Sequence, residues 1–135
     1  MDGYNLRSVV YAGAVAGLIS GIICSFLGYI WVRMGIFEFT PGSLIEILVS
    51  MIVLTLIFGT TFGLIYEKFY SLLPSEGLKK GLIFGLMVWF IKDIAAGSYV
   101  IFVARNPGIG FDLIVGGLYM WAIYGVILGH IYKKE

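Results

Sequence analysis

Four long apolar segments dominate the sequence and decide what the chain can fold into. A helix needs about 20 mostly apolar residues to cross the hydrocarbon core of a bilayer. Four segments reach that length, namely residues 9–32, 44–66, 81–103 and 111–132. The longest connection between them, residues 67–80, is too short for a soluble domain. The sequence therefore predicts an all-α integral membrane protein whose residues 1–135 form a single domain of four transmembrane helices.

Composition and charge exclude several classes of protein. Only 13% of the residues are charged, whereas about 25% are charged in an average soluble domain. With nine Lys+Arg against eight Asp+Glu, the chain has no basic patch for nucleic acid. One cysteine and one histidine, His130, provide neither a disulfide framework nor a convincing metal or haem site. Hydrolase, metalloprotease and phosphate-binding motifs are absent from the sequence, so we expect no catalytic residue, metal or cofactor.

Basic residues near the helix ends predict the orientation, because cytoplasmic loops carry an excess of Lys and Arg. Arg33 and Arg105 lie on the side of the two hairpin loops. Six basic residues lie on the side of the termini: Arg7, Lys68, Lys79, Lys80, Lys133 and Lys134. We therefore expect a multi-pass protein of the cytoplasmic membrane, in contact with the lipid bilayer and with both termini in the cytoplasm.

The two halves of the chain resemble each other. Residues 41–68 align without gaps on residues 107–134 and match at nine of 28 positions, beginning with Pro41 and Pro107. The pattern predicts tandem hairpins, helices 1–2 and 3–4, with one repeat at about 8–70 and the other at about 79–135. Both hairpins would enter the membrane from the same side, which predicts a pseudo-two-fold axis along the membrane normal.

Every predicted helix carries small residues at the spacing that brings helix backbones together in membranes. These glycines are Gly13, Gly17, Gly21, Gly59, Gly63, Gly81, Gly85, Gly125 and Gly129. We interpret them as helix-packing surfaces rather than as a pore or a sliding surface. Because they exceed what one small bundle can use, we expect a homo-oligomer or a partner in a membrane complex. Aromatic residues near the helix ends, among them Trp31, Tyr66, Trp121 and Tyr132, are typical of interfacial belts.

Lys92 and Asp93 are the residues most suggestive of function, because they lie at the middle of the third apolar segment. A charge at the bilayer centre costs at least ~2.5–3.5 kcal/mol, and such residues usually serve a function. At about 100° per residue, Lys92 shares a stripe with Gly81 and Gly85 and should point into the bundle. Asp93 should point elsewhere, and since adjacent residues do not face one another, each should need a partner elsewhere or a water-filled cavity.

The first repeat lacks this charged pair. Its counterparts of Lys92 and Asp93 are Cys24 and Ser25. A functional site present in one copy only would produce this difference. The alternative is a structural ion pair that fixes the register of the helices.

Four more charged residues flank the hairpin loops. Glu46 and Asp112 each follow a Pro-Gly pair at the start of a helix, and Ser43-x-x-Glu46 predicts a capping box. Arg33 and Arg105 close the preceding helices. They are either helix caps and rim pairs or a charged outer vestibule that leads to Lys92.

Two classes of function stay open at this point. The first is an oligomeric channel or transporter, or its membrane subunit, that moves an ion or small polar solute past Lys92 and Asp93. The second is a non-catalytic scaffold or anchor of a larger complex, in which the same two charges pair with a partner helix.

Overall fold

The computed structural model of the protein describes residues 3–36 and 43–132, and every regular element within these ranges is helical. The helices are α1 (Gly3–Arg33), α2 (Leu44–Phe69), α3 (Gly77–Phe102) and α4 (Pro107–Ile131). Each is long and apolar enough to span a membrane. The prediction of an all-α membrane protein with four spans is therefore confirmed. Pro41, Lys133 and Lys134, used above for the repeat and the orientation, lie outside the described residues.

Side-chain caps begin both α2 and α4. Ser43 Oγ accepts a hydrogen bond from the Glu46 N–H at 3.3 Å, and Glu46 Oε2 accepts one from the Ser43 N–H at 2.8 Å. The predicted capping box is therefore confirmed. At the start of α4, Asn106 Oδ1 accepts from the Ile109 N–H at 3.2 Å, and Pro107 occupies the first turn, where its missing N–H costs nothing.

The helices pack as two hairpins, α1 with α2 and α3 with α4, and α1 also packs along α4. We call the half of the bundle near the chain termini the terminal half. It holds the starts of α1 and α3 and the ends of α2 and α4. The half near residues 34–36, Ser43 and residues 103–106 is called the loop half.

Glycines bring the backbones of each hairpin together in the terminal half. A Cβ atom placed on Gly13 would lie 2.5 Å from the Gly59 carbonyl oxygen and 3.1 Å from Gly63 Cα. A Cβ atom placed on Gly81 would lie 2.6 Å from Gly129 N and would also collide with the Gly125 carbonyl oxygen. These glycines thus pack helix against helix within the chain, as the small-residue pattern predicts.

Aromatic side chains fill the centre of the terminal half. Tyr66, Trp121 and Tyr132 are at most 2% exposed, so the interpretation of these three as interfacial-belt residues was wrong. Their rings pack edge to face or tilted against one another and against Phe62 and Phe84, with centroids 4.8–5.9 Å apart. Glycines hold the two helices of each hairpin together, and the large rings fill the space between the hairpins. The terminal half is therefore closed.

A π-helical turn, Phe90–Ile94, interrupts α3. An α-helix advances about 100° per residue, and the wider π turn advances less. Four residues of α3 that are separated by multiples of four residues, rather than of 3.6, are all buried: Gly81, Gly85, Asp93 and Gly97. The π turn therefore keeps one side of α3 facing α4 over its whole length.

Candidate functional site

A cavity of about 420 Å³ lies in the loop half, lined by α1, α2, α4 and the π turn of α3. Small-molecule sites in proteins occupy about 300–1,000 Å³ and are mostly apolar with a few polar groups. Apolar side chains such as Val32, Ile47 and Leu113 form most of the walls, and Lys92 and Asp93 add the charges of α3. The volume and the mostly apolar lining of the cavity lie within the range of small-molecule sites.

Asp93, not Lys92, is the buried member of the pair. The Asp93 side chain is 6% exposed and that of Lys92 is 41% exposed. The expected orientation of the two residues is thus reversed, because the π turn shifts the helical phase just where they lie. Lys92 Nζ donates a hydrogen bond to Asp93 Oδ1, so the expectation that these two neighbours do not pair with each other was also wrong.

The position of Asp93 depends on a glycine in α4. A Cβ atom on Gly117 would lie 2.6 Å from Asp93 Cγ and 2.8 Å from Asp93 Cβ. Within residues 3–36 and 43–132, Asp93 Oδ2 has no hydrogen-bond partner. The carboxylate is therefore packed tightly against the α4 backbone. Oδ1 accepts the hydrogen bond from Lys92, and Oδ2 is buried.

Trp121 lies beside the ion pair. Lys92 Nζ lies 5.5 Å from the centroid of the Trp121 ring, within the range of a cation–π interaction. The Trp121 indole N–H is buried and has no acceptor in the described part of the chain. Sequence reasoning placed Trp121 in an interfacial belt and did not connect it with Lys92.

Four hydroxyl groups on the walls of the cavity donate hydrogen bonds to backbone carbonyls. Ser20 donates to the Gly17 carbonyl at 3.0 Å, Ser25 to Gly21 at 2.7 Å and Thr55 to Met51 at 2.6 Å. Tyr124 Oη on α4 donates to the Gly59 carbonyl of α2 at 2.7 Å and ties the two hairpins together. The Lys92 ammonium group is therefore the charged donor that the walls present.

The four predicted rim residues do not come together. Asp112 lines the cavity with Lys92 and Asp93. Glu46 is engaged in the α2 cap, Arg33 donates to Tyr29 Oη at 3.1 and 3.2 Å, and Arg105 is exposed in a left-handed conformation with φ of 54°. One of the four therefore belongs to the candidate site.

Several cavity residues escaped sequence reasoning. Gly28 is one of them: the atom nearest to a Cβ placed on it is Tyr119 Oη at 3.9 Å, so it faces the cavity. The signal for Gly117 lay in the internal alignment, which pairs it with Met51. Gly117 faces Asp93 in the second hairpin, whereas the aligned position of the first hairpin has the bulkier Met51.

Among the described residues, no group of three or more His, Cys, Asp or Glu side chains could hold a metal ion. Comparisons with protein-family models, with curated proteins and with solved structures each found no match to this chain. The cavity and its ion pair are therefore the features from which a function can be inferred.

Proposed function

We propose that the protein is a membrane transport protein, or the membrane subunit of one, that binds a small solute in the loop-half cavity at Lys92 and Asp93. The observation that carries the proposal is an ion pair at the middle of a membrane-spanning helix that lines a cavity large enough for a ligand. Charged residues inside membrane spans commonly mark the path of a substrate or ion.

The shape of the cavity favours a transporter over an open channel. Trp121 and Tyr124 line its inner end, and the aromatic core of the terminal half packs beyond them. A solute in the cavity would need a rearrangement of the helices to continue to the other side. The π turn at the site supplies a segment where α3 is already irregular, and such turns occur frequently at functional sites.

Osmotic re-swelling of proteoliposomes tests the proposal across several classes of solute. Liposomes with the purified protein are mixed with hyperosmotic KCl, sodium acetate, glycerol or an amino acid, and light scattering reports the entry of each solute. We expect at least one solute to enter about tenfold faster than into protein-free liposomes, a barrier lower by about 1.4 kcal/mol.

A neutral double variant provides the matched comparison. Lys92→Met/Asp93→Ser removes both charges together, so no unpaired charge is left in the membrane, and it should abolish the flux. Ile30→Phe, on the exposed side of α1, should leave the flux unchanged. Equal re-swelling with and without protein for every solute would overturn the transport proposal.

A scaffold or anchor role is the second candidate, and one observation favours it. Lys92 is 41% exposed, and the neighbouring Phe90 and Ile91 are 64% and 69% exposed. A partner helix with an acidic residue could pack there. A photoreactive residue at position 91 that cross-links to one defined membrane protein in native membranes, with no flux in liposomes, would favour this role.

We also propose that the hairpins arose by tandem duplication and are related by a pseudo-two-fold axis along the membrane normal. Supporting this, glycines that align in the sequence make corresponding contacts, Gly13 with Gly59 and Gly81 with Gly125. Exposed Arg7 and Lys79 at the terminal half support termini in the cytoplasm. Reporter fusions in the loops at 36–40 and 106–110 test this orientation, and cytoplasmic signals from both would contradict it.

Self-association stays a prediction. The glycines that suggested it pack within the chain, so that argument no longer supports it. The remaining support is α2, whose apolar span is 17% buried, the smallest share among the four helices. Sedimentation of the detergent-solubilised protein over a range of concentrations would detect an oligomer, and a monomer at all concentrations would exclude it.

A further inference from the structure

The charges at the inner end of the cavity form a balanced pair. Lys92 Nζ is bonded to Asp93 Oδ1, so the ammonium and the carboxylate neutralise each other. A ligand with one net charge would leave an uncompensated charge in apolar surroundings, which is costly. The pair therefore selects against simple anions and simple cations.

The same pair offers complementary groups to a ligand that carries both charges. Lys92 Nζ has further N–H donors besides the one that it gives to Asp93, and its side chain is half exposed. The hydroxyls of Ser20, Ser25 and Thr55 donate to backbone carbonyls, so they compete little for a ligand carboxylate. Asp112 lies on the α4 wall nearer the loops and already has an interaction of its own, so it does not enter the charge balance at the ion pair.

The remaining walls suit an apolar body. Val32, Leu54, Phe58 and Leu113 supply aliphatic and aromatic surface. Trp121, which is 2% exposed, closes the inner end of the cavity beside Lys92. A polar head at the ion pair with an apolar body towards the loops fits this distribution.

We propose that the cavity binds a zwitterion with an apolar body, of the chemical class of the apolar amino acids, with its carboxylate at Lys92 Nζ and its ammonium group at Asp93 Oδ1. This inference rests on the proposed function, because it names the class of solute that the transporter would carry. The zwitterion adds no net charge to the cavity and exchanges the internal Lys92–Asp93 contact for two contacts of the same kind.

Four probes with the same phenyl body test the charge rule: L-phenylalanine, 3-phenylpropionate, 2-phenylethylammonium and uncharged 3-phenylpropanamide. Binding is measured by the concentration-dependent rise of Tm in an uncharged detergent, since a ligand that binds the folded state raises its stability according to [L]/Kd. We expect a saturable effect of phenylalanine with a Kd about tenfold or more below those of the other three probes.

Two variants of α1 separate binding in the cavity from partition into the detergent. Gly28→Leu places a side chain in the cavity and should raise the Kd of phenylalanine about tenfold or more. Ile30→Phe adds bulk on the exposed side of the same helix and should leave the Kd unchanged. If phosphatidylethanolamine in the micelles removes the phenylalanine effect, the zwitterion is a lipid headgroup rather than a free solute.

The proposal is overturned if phenylalanine causes no saturable rise of Tm or if any of the other three probes binds as tightly as phenylalanine. It is also overturned if the Gly28→Leu variant binds phenylalanine with an unchanged Kd. Its failure is distinct from that of the transport proposal. Flux of an ion in liposomes without binding of phenylalanine would leave transport standing and reject the zwitterion. Binding of phenylalanine without flux of any solute would leave the zwitterion site standing and reject transport.

Discussion

The two hairpins use the same means of packing and differ at one level. In the terminal half, Gly13 and Gly81 each press against the backbone of the partner helix. Nearer the loops, the first hairpin has small, uncharged Cys24 and Ser25, whereas the second has the ion pair and a glycine opposite it. Spacing of the helices and chemistry of the site are thus set by different residues, so the chemistry can be changed while the packing is kept.

The packing glycines should give the largest effect, and in both hairpins. Gly81→Leu forces a side chain into the backbone of α4, and Gly13→Leu does the same to α2. Overpacking costs about 1–3 kcal/mol or more, and backbone atoms can yield less than side chains, so we expect about 3 kcal/mol or more in each case. Thermal or SDS-induced unfolding in detergent measures the loss.

Gly28→Leu is the matched control on α1, because the nearest atom to its Cβ is 3.9 Å away. It should change the stability by less than about 1 kcal/mol. A loss as large as that of Gly13→Leu would mean that the cavity is not open at this position.

Removing one partner of the ion pair should give the next largest effect, and only in the second hairpin. Lys92→Met leaves the carboxylate of Asp93, 6% exposed, without its cation. Breaking a buried pair costs about 3–5 kcal/mol, and because Lys92 is half exposed we expect the lower end. The double variant Lys92→Met/Asp93→Ser should recover most of the loss in the same unfolding assay. Equal losses for the single and double variants would argue against a buried charge as the cause.

A smaller effect should follow from filling the space that Asp93 occupies. Gly117→Ala places a methyl group 2.6 Å from Asp93 Cγ, and we expect a loss of about 1–2 kcal/mol. In the Asp93→Ser background the same substitution should cost little, since the shorter side chain leaves room. A double-mutant cycle by thermal unfolding measures this coupling, and additive losses would show that the two residues do not contact each other.

The smallest effect is expected at the uncharged position of the first hairpin. Cys24→Ala removes one sulfur atom from a buried side chain that also borders the cavity. Its loss of stability should be about 1 kcal/mol or less. A loss comparable to that of Lys92→Met would erase the distinction between the hairpins.

Local rules predicted much of this fold. Apolar length located all four helices, the Ser43–Glu46 spacing located a cap, and the glycine spacing located the helix contacts. Each of these signals depends on residues that are close in the chain. The sequence also identified Lys92 and Asp93 as the charges within the membrane.

Their arrangement could not be predicted, because it depends on contacts distant in the chain. A constant rotation of 100° per residue predicts that Lys92 points into the bundle. The π turn changes this rotation, so Asp93 points inwards instead. Their places in the sequence predict that Trp121 and Tyr132 lie in an interfacial belt. In the structure both are buried in the core, where they fill the space between the glycine-packed hairpins. A helix-phase argument holds only as long as the helix stays regular.

The π turn Phe90–Ile94 also has a consequence for the ancestry that we propose for the hairpins. Before the turn, burial along α3 follows that of α1 at an offset of 68 residues, but beyond it residues 95–102 follow residues 26–33, an offset of 69. In the proposed duplication, the second hairpin then has one residue more than the first, and this residue lies in the π turn. With that extra residue, the counterpart of Asp93 is Cys24 rather than Ser25, which an offset of 68 gives. Deletion of one residue within 90–94 should restore a regular helix and disrupt the site.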